Sequence, residues 1–190
     1  MSRAEADVIN GLDHQAYFDL EQAEDQRFEY LAGEVFAMGG GTEAHALIAM
    51  NTGAALVGAL REQPCRVVGS DLKLHIAAAD KFCYPDVMVL CGEGDRGGIY
   101  VENPVLIVEV LSDSTESYDR GLKFEQYRLI PELRHYLLLD QKRAHAELYT
   151  RTDPAAWRFE EATGEGGVIA LDTWGAELPL AELYRHLDLP

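Results

Sequence analysis

Two carboxylates stand in segments that otherwise have the composition of buried strands. Asp86 lies in YPDVMVL, and Glu109 lies in the middle of PVLIVEVLS. Burying an uncompensated carboxylate costs on the order of several kcal/mol, but two on successive strand-like segments could share one hard divalent cation, most naturally Mg²⁺. The residues equally permit Asp86 to cap a turn after Pro85 and Glu109 to pair with an arginine.

A lysine follows these carboxylates in a segment with helical spacing. Lys123 lies in SYDRGLKFEQYRLI, and Tyr127 is one turn further on the same face. A helix directly after the Glu109 strand can return an ammonium group to the carboxylates, where it could orient a water molecule and offset charge on a phosphate. A lysine on a solvated helix face is the simpler interpretation of its helical position alone.

In this order, these residues resemble the PD-(D/E)XK nucleases and, more closely, the Uma family of proposed restriction endonucleases. The resemblance extends from about Asp25 to Tyr149. It rests on RFEYLAGEVFAMGGG, YPDVMVL, PVLIVEVLS, DRGLKFEQY and HYLLLD, with His45 between the first two. It implies a restriction-endonuclease-like αβββαβ core and hydrolysis of phosphodiester bonds in DNA. The resemblance also implies that Asp86 and Glu109 hold a Mg²⁺ ion as cofactor, for which Mn²⁺ can substitute.

The resemblance extends to two further residues and shows one departure. Glu34 matches an acidic residue of the family and would support the metal or a water molecule, and His45 matches a histidine on the following helix. From the residues alone, Glu34 could be an exposed hairpin charge, and His45 an interior histidine, a carboxylate partner or a phosphate contact. The usual lysine two positions after Glu109 is replaced by Leu111, so Lys123 would take over its role.

Patterns of hydrophobicity and turn residues predict one α/β domain over residues 1–190 with a mixed central sheet. Its N-terminal half is predicted to contain a helix near Asp13 to Glu21, a hairpin around Ala32-Gly33 and a helix that Thr42 caps. The strand-like runs CRVVGSDLKLHI, KFCYPDVMVLCG and PVLIVEVLS are expected to be adjacent in one sheet. The C-terminal half is predicted to contain a helix that ends before Pro131, strands on both sides of a turn at residues 140–142, a hairpin from WRFEEA and GVIALD, and a final helix in LPLAELYRHL.

The composition restricts the class of partner and the compartment. With 16 basic and 33 acidic residues the net charge is −17, so nucleic-acid contacts must be local or bridged by metal. The three cysteines form no CxxC pair, which indicates reduced thiols in a cytoplasmic protein. The sequence contains no stretch of about 18 consecutive apolar residues, so no membrane span is predicted.

The sequence is compatible with three functions. The first is an Mg²⁺-dependent endonuclease acting on DNA, for which a homodimer is expected because cutting two strands favours two sites. The acidic charge and Leu111 motivate the second, a non-catalytic module that binds nucleic acid or protein. Carboxylates in apolar runs motivate the third, a metal-independent hydrolase that uses Glu34 or Glu109 as general acid or base.

Overall fold

Two six-stranded sheets form most of the structure, a computed structural model that describes residues 9–92, 98–113 and 115–189. The strands in chain order are β1 (Ile9–Asn10), β2 (Phe28–Leu31), β3 (Glu34–Ala37), β4 (Cys65–Gly69), β5 (Lys73–Ile76), β6 (Lys81–Cys83), β7 (Val87–Cys91), β8 (Tyr100–Val101), β9 (Leu106–Leu111), β10 (His135–Asp140), β11 (His145–Asp153), β12 (Ala156–Thr163), β13 (Val168–Leu171) and β14 (Ala176–Pro179). Sheet A has the order β1-β3-β2-β6-β5-β8, and sheet B has the order β12-β11-β10-β9-β7-β4.

The helices are few, and one of them changes its winding. They are α1 (His14–Glu24), α2 (Glu43–Ala59), a 3-10 turn (Ala77–Ala79), α3 (Glu116–Tyr118), a π turn (Asp119–Lys123), α4 (Phe124–Tyr127) and α5 (Leu180–Leu183). The segments α3, π turn and α4 follow one another directly and are called the π-turn helix below. No helix within the described ranges is long and apolar enough to cross a membrane.

Sheet B confirms the predicted mixed sheet and αβββαβ core. The order along the chain is α2, then β4, β7 and β9, then the π-turn helix and β10. Strand β9 pairs in parallel with β10 and antiparallel with β7, so the sheet is mixed. A strand that is buried on both faces needs the near-continuous apolar composition that PVLIVEVLS has.

The prediction of one sheet for the three strand-like runs is wrong, because the chain changes sheets twice. The first run divides into β4 of sheet B and β5 of sheet A, and the second into β6 of sheet A and β7 of sheet B. Pro85 stands between β6 and β7, where its missing N–H prevents a continuous ladder. Asp86 therefore lies where the chain passes from one sheet to the other.

Alternation along β9 assigns its side chains to two faces of sheet B. Val108 and Val110 belong to the apolar cluster that includes residues of α2, α5, β13 and β14. Ile107 and Leu111 belong to the cluster on the opposite face, which includes residues of the π-turn helix. Glu109 points to the same face as Ile107 and Leu111, so the carboxylate lies beneath the π-turn helix.

The N-terminal predictions are confirmed in detail. The hairpin of β2 and β3 turns at Ala32 and Gly33, both of which have positive φ angles. Thr42 caps α2, since its Oγ1 accepts a hydrogen bond of 3.1 Å from the backbone N–H of His45. The cap sets the start of α2, and with it the position of His45 in the first turn.

The C-terminal hairpin was predicted with the wrong partners. Strand β12, which contains WRFEEA, pairs with the long β11, and β13 pairs with β14. Much of LPLAELYRHL is not helical, because Leu178 and Pro179 end β14 and only the four residues of α5 form a helix. Asn51 of α2 donates hydrogen bonds to the carbonyls of Leu183 and Arg185, which attach this segment to α2.

The prediction of three reduced thiols is wrong for two of them. Cys65 in β4 and Cys91 in β7 are directly opposed in the register and form a disulfide. The third, Cys83, is a buried free thiol. The 26-residue separation of the bonded pair gives no motif, and only the antiparallel pairing of the two strands brings the sulfur atoms together.

Candidate active site

A cleft of about 390 Å³ opens beside the π-turn helix and draws its walls from both sheets. It is lined by Glu29, Phe36, Ala37, Met38, Gly39, Gly40, Gly41, His45, Tyr84, Asp86, Glu109, Val110, Ser112, Thr115, Tyr118, Asp119 and Lys123. Four of the five residues singled out from the sequence, Asp86, Glu109, Lys123 and His45, therefore share one cleft.

Asp86 is held by a backbone amide and a histidine. Its Oδ2 accepts a hydrogen bond of 2.7 Å from the N–H of Val110, and its Oδ1 lies 2.9 Å from Nε2 of His45. The hydrogen bond to Asp86 raises the pKa of His45 against the opposing effect of burial. Because a carboxylate can accept about four hydrogen bonds, these two contacts orient Asp86 and leave it able to bind a cation.

Glu109 is a buried carboxylate, with 4% of the residue exposed. Its Oε1 accepts a hydrogen bond of 2.6 Å from the hydroxyl of Tyr127 and lies 2.8 Å from Nζ of Lys123. Burial raises the pKa of Glu109 to about 8, and the negative charges of Asp86 and Asp119 add to this effect while Lys123 opposes it. In the metal-free cleft burial therefore favours the protonated form of Glu109.

Lys123 is buried among acids and does not lie on a solvated helix face. Besides Glu109, its Nζ lies 3.2 Å from Oδ1 of Asp119 and 3.9 Å from Oε1 of Glu29. Burial alone would lower the pKa of Lys123, but Glu109, Asp119 and Glu29 hold it well above its ordinary value. The cleft thus contains a permanently charged ammonium group.

Glu34 is the one predicted site residue that the structure does not bring to the cleft. It is exposed at the start of β3, paired with Asn10 and Leu31, and is not among the lining residues. The acid that this hairpin supplies to the cleft is Glu29 on β2. Glu29 stands between Phe28 and Tyr30, so the signal that singled out Glu109, a carboxylate inside an apolar run, was present here too.

A second buried lysine lies behind Glu29, and sequence reasoning missed it. Lys81 is fully buried, and its Nζ donates hydrogen bonds to the hydroxyl of Tyr118 at 2.6 Å and to Oε1 of Gln126 at 2.7 Å. It also lies 3.8 Å from Oε2 of Glu29. Burial opposes its charge, yet Glu29 contributes to keeping the pKa of Lys81 raised. No spacing in the sequence indicates this contact, because β6 and the π-turn helix are far apart along the chain.

Asp119 was also missed, although its spacing from Lys123 offered a signal. The two residues are four positions apart in one helical segment, where opposite charges commonly pair. Asp119 is buried, and among the described residues its Oδ1 has the ion pair with Lys123 at 3.2 Å but no hydrogen bond of good geometry. An oxygen in this condition can accept a bond from water or coordinate a cation.

The donor set of the cleft fits a hard divalent cation. The cluster has more carboxyl groups than ammonium groups, so acidic oxygens are available to a cation once Glu109 is deprotonated; the acids are Glu29, Asp86, Glu109 and Asp119, and the lysines are Lys123 in the lining and Lys81 behind Glu29. Oxygen ligands of this kind are those that Mg²⁺ prefers, and Mg²⁺ commonly takes only one or two carboxylates and keeps several waters.

A separate group of metal-ligand types lies outside the cleft. Within the described ranges, the group of three such side chains whose ligand atoms all lie within 4.8 Å of one another is His145, Glu147 and Glu161. Glu147 is already bound by Arg120, whose Nε lies 3.1 Å from both carboxylate oxygens and whose Nη2 lies 2.7 Å from Oε1. A cation there would have to displace a guanidinium group, so the cleft is the better candidate site.

Comparisons with known proteins agree with the fold and the motifs. The chain is similar to two uncharacterized proteins of Synechocystis sp.: slr1290, 36% identical over 177 residues covering 93% of each chain, and sll1609, 33% identical over 156 residues covering 80% of this chain and 88% of that protein. The crystal structure of a putative nuclease belonging to DUF820 from Anabaena variabilis shares the fold, with a TM-score of 0.67, 14% identity and coverage of 84% of this chain and 90% of that one. The model of the Uma2 family, described as "Putative restriction endonuclease", matches residues 14–181. The chain therefore belongs to the Uma2 family.

Proposed function

We propose that the protein is an Mg²⁺-dependent endonuclease that hydrolyses phosphodiester bonds in DNA. The observation that carries the proposal is the meeting of Asp86, Glu109 and the buried ammonium group of Lys123 in one open cleft. Membership of a family described as "Putative restriction endonuclease" and a fold shared with a protein described as a putative nuclease support the same activity. Replacing buried ion pairs by apolar residues of similar volume is often neutral or stabilising, so the burial of these charges supports a functional role.

Asp86 and Glu109 would hold the metal, and Glu29 takes the supporting role that we expected for Glu34. When bound, Mg²⁺ would polarise a phosphoryl oxygen of the substrate and lower the pKa of the attacking water molecule. His45 and the N–H of Val110 fix the orientation of Asp86. Glu109 must lose its proton before its carboxylate can coordinate a cation. Because the pKa of Glu109 is raised, binding of the cation is coupled to release of this proton.

Lys123 acts on the charge that develops during hydrolysis. Its ammonium group is preorganised by Glu109 and Asp119, so no reorganisation is needed when negative charge grows on the phosphoryl oxygens. In this proposal Lys123 takes the role of the lysine that related nucleases have on the strand, at the position of Leu111. Leu111 is itself buried in the apolar cluster beside Tyr127, which leaves that position without a polar role.

The acidic surface is compatible with a DNA substrate only if contacts are concentrated at the cleft. A net charge of −17 repels a polyanion at long range. The backbone of Gly39, Gly40 and Gly41 lines the rim and permits close approach of a sugar-phosphate chain without side chains in the way. Weak binding is therefore expected for the proposed enzyme, with a shallow dependence on salt because few cationic side chains can meet the phosphates.

The proposal is tested by single-turnover cleavage of single- and double-stranded DNA in Mg²⁺, in Mn²⁺ and in chelator. Asp86→Asn should abolish both cleavage and metal binding while leaving the protein folded, because the amide keeps the shape of the carboxylate and a hydrogen-bond acceptor but not its charge. The matched control is Asp71→Asn, since Asp71 is exposed, pairs with Arg27 and does not line the cleft. Parental cleavage by Asp86→Asn would refute the assignment. Light scattering of the same samples tests the expected homodimer.

A metal-independent hydrolase is the second candidate, favoured by one observation. The pKa of Glu109, raised to about 8, suits a general acid near neutral pH. Calorimetry separates the two functions, because the nuclease must bind Mg²⁺ at Asp86 and Glu109, whereas an acid–base hydrolase would work with chelator present. Nucleic-acid binding without any product would instead indicate a non-catalytic module.

A further inference from the structure

Two buried carboxylates lie in one row across sheet B, on either side of a leucine. Leu138 of β10 pairs with Glu109 of β9 and also with Glu147 of β11. Residues that are directly opposed on neighbouring strands point to the same face, so both acids face the π-turn helix. With two strand spacings between them, their Cα atoms are about 10 Å apart.

Each of these acids is met by a cation from the same π turn. Lys123 lies 2.8 Å from Glu109, and Arg120 binds Glu147 through Nε and Nη2. The guanidinium also contacts Glu116 in the preceding turn. Glu147 is buried almost as deeply as Glu109, so neither acid is an incidental surface partner.

The winding of the π turn separates the two cations. A π turn contains more residues than an α turn, so side chains three positions apart diverge more around the axis than they would on an α-helix. Arg120 can thereby reach β11 while Lys123 reaches β9. The hydroxyl of Tyr136 donates a hydrogen bond of 3.0 Å to the carbonyl of Asp119, which ties the start of the turn to the sheet between these two contacts.

We propose that the ion pair of Arg120 and Glu147 is a positioning device for the active site. It holds the π turn in the rotation that presents Lys123 and Asp119 to Glu109. Neither Arg120 nor Glu147 lines the cleft, so the pair acts through the helix and not on the substrate. The consequence for catalysis rests on the proposed nuclease function, but the consequence for Lys123 does not.

Arginine suits this role better than lysine. Its planar fork binds both oxygens of a carboxylate at once, which fixes a direction as well as a distance, whereas an ammonium group acts as a point charge. Arg120→Met would leave Glu147 buried and without its strongest partner, so the turn should relax towards solvent. Arg120→Lys keeps the charge without the fork, and we expect an intermediate effect.

The decisive measurement is heteronuclear NMR of the lysine ammonium groups, because the chain has only four lysines. Lys123 should give a slowly exchanging signal, assigned by its loss in Lys123→Met. Arg120→Met and Glu147→Gln should each shift that signal and speed its proton exchange roughly tenfold or more, as expected for local opening. The buried Lys73, which pairs with Glu21 elsewhere, should be unchanged and is the internal control.

A matched arginine variant separates positioning from stability. Arg151 donates to the carbonyls of Arg128 and Ile130, just beyond the C-terminal end of the π-turn helix. Arg151→Met should lower the melting temperature but leave the Lys123 signal in place. Where cleavage is measured, Arg120→Met should lower the single-turnover rate roughly 10- to 100-fold with little change in KM, and Arg120→Lys should recover part of the rate.

Two outcomes would overturn the proposal. One is a Lys123 signal that is unchanged in both Arg120→Met and Glu147→Gln. The other is an equal change in Arg151→Met, which would mean that any loss of helix stability has the same effect. A parent protein that cleaves no DNA would refute the proposed function alone, since the NMR measurement would still decide whether Arg120 positions Lys123.

Discussion

Proton release on metal binding is the prediction that follows most directly from the cleft. Glu109 has its pKa raised to about 8 by burial, by Asp86 and by Asp119. A coordinated carboxylate must be deprotonated, so protons and metal compete for Glu109. At pH 7 the metal-free protein should have Glu109 protonated in about nine molecules out of ten, and at pH 9 in about one out of ten.

The competition sets the size of the effect on affinity. Below pH 8 the apparent affinity for Mg²⁺ should fall as the pH falls, by about 50-fold between pH 8 and pH 6, and it should level off above pH 8. His45 can add to the release in the same direction, because its contact with Asp86 raises its own pKa. His45→Gln isolates the contribution of Glu109.

Calorimetric titration of Mg²⁺ in buffers with different ionisation enthalpies measures the number of protons released. Near one proton is expected from Glu109 at pH 7 and almost none at pH 9. Glu161→Gln is the matched control, because Glu161 belongs to the separate group of metal-ligand types and not to the cleft. Affinity that does not vary from pH 6 to pH 8, or that is lost in Glu161→Gln and kept in Glu109→Gln, would refute the reasoning.

Three further predictions concern catalysis and stability. Lys123→Ala should lower the single-turnover cleavage rate by about 100-fold or more with little loss of DNA affinity, and Lys123→Arg should not restore it, because the broader guanidinium cannot fill the site of an ammonium; parental rates would remove Lys123 from the mechanism. Burial lowers the pKa of His135 to about 4, so folding favours its neutral form. The free energy of unfolding should therefore be highest above about pH 6.5 and decline by about 3 kcal/mol on acidification to about pH 4. Denaturant titrations should find no such decline in His135→Gln. Reducing the Cys65–Cys91 disulfide should lower the free energy of unfolding by about 3 kcal/mol, since it closes a 26-residue segment; equal unfolding midpoints with and without reductant would contradict this.

The sequence was most informative where a polar residue conflicts with its surroundings. Asp86 and Glu109 were found because a carboxylate in an apolar run needs a compensating partner, and both line the cleft. The same reasoning would have found Glu29. Instead the resemblance directed attention to Glu34, at the exposed end of the hairpin.

Features that depend on long-range pairing were outside the reach of sequence reasoning. The disulfide between Cys65 and Cys91 needs the register of β4 and β7, and the contact of Lys81 with Gln126 needs three changes of sheet between β6 and β9. Pro85 marks the crossing from β6 to β7, but a proline inside an apolar run can also be an edge residue of one sheet. The start of α2 could be predicted from the Thr42 cap, because a cap and its helix are adjacent in the chain.

The position of the cleft on the boundary between the two sheets links its integrity to a partial opening of the protein. Sheet A has a small aromatic core of its own, built around Tyr17 and Phe82, but its residues Leu74, Ile76 and Cys83 belong to a larger cluster that also contains residues of sheet B. Loss of packing in this shared cluster would separate Glu29 of sheet A from Glu109 of sheet B, and the cleft would be dismantled while the strand pairing of sheet B stays intact. Mild denaturation should therefore disrupt the cleft before sheet B unfolds.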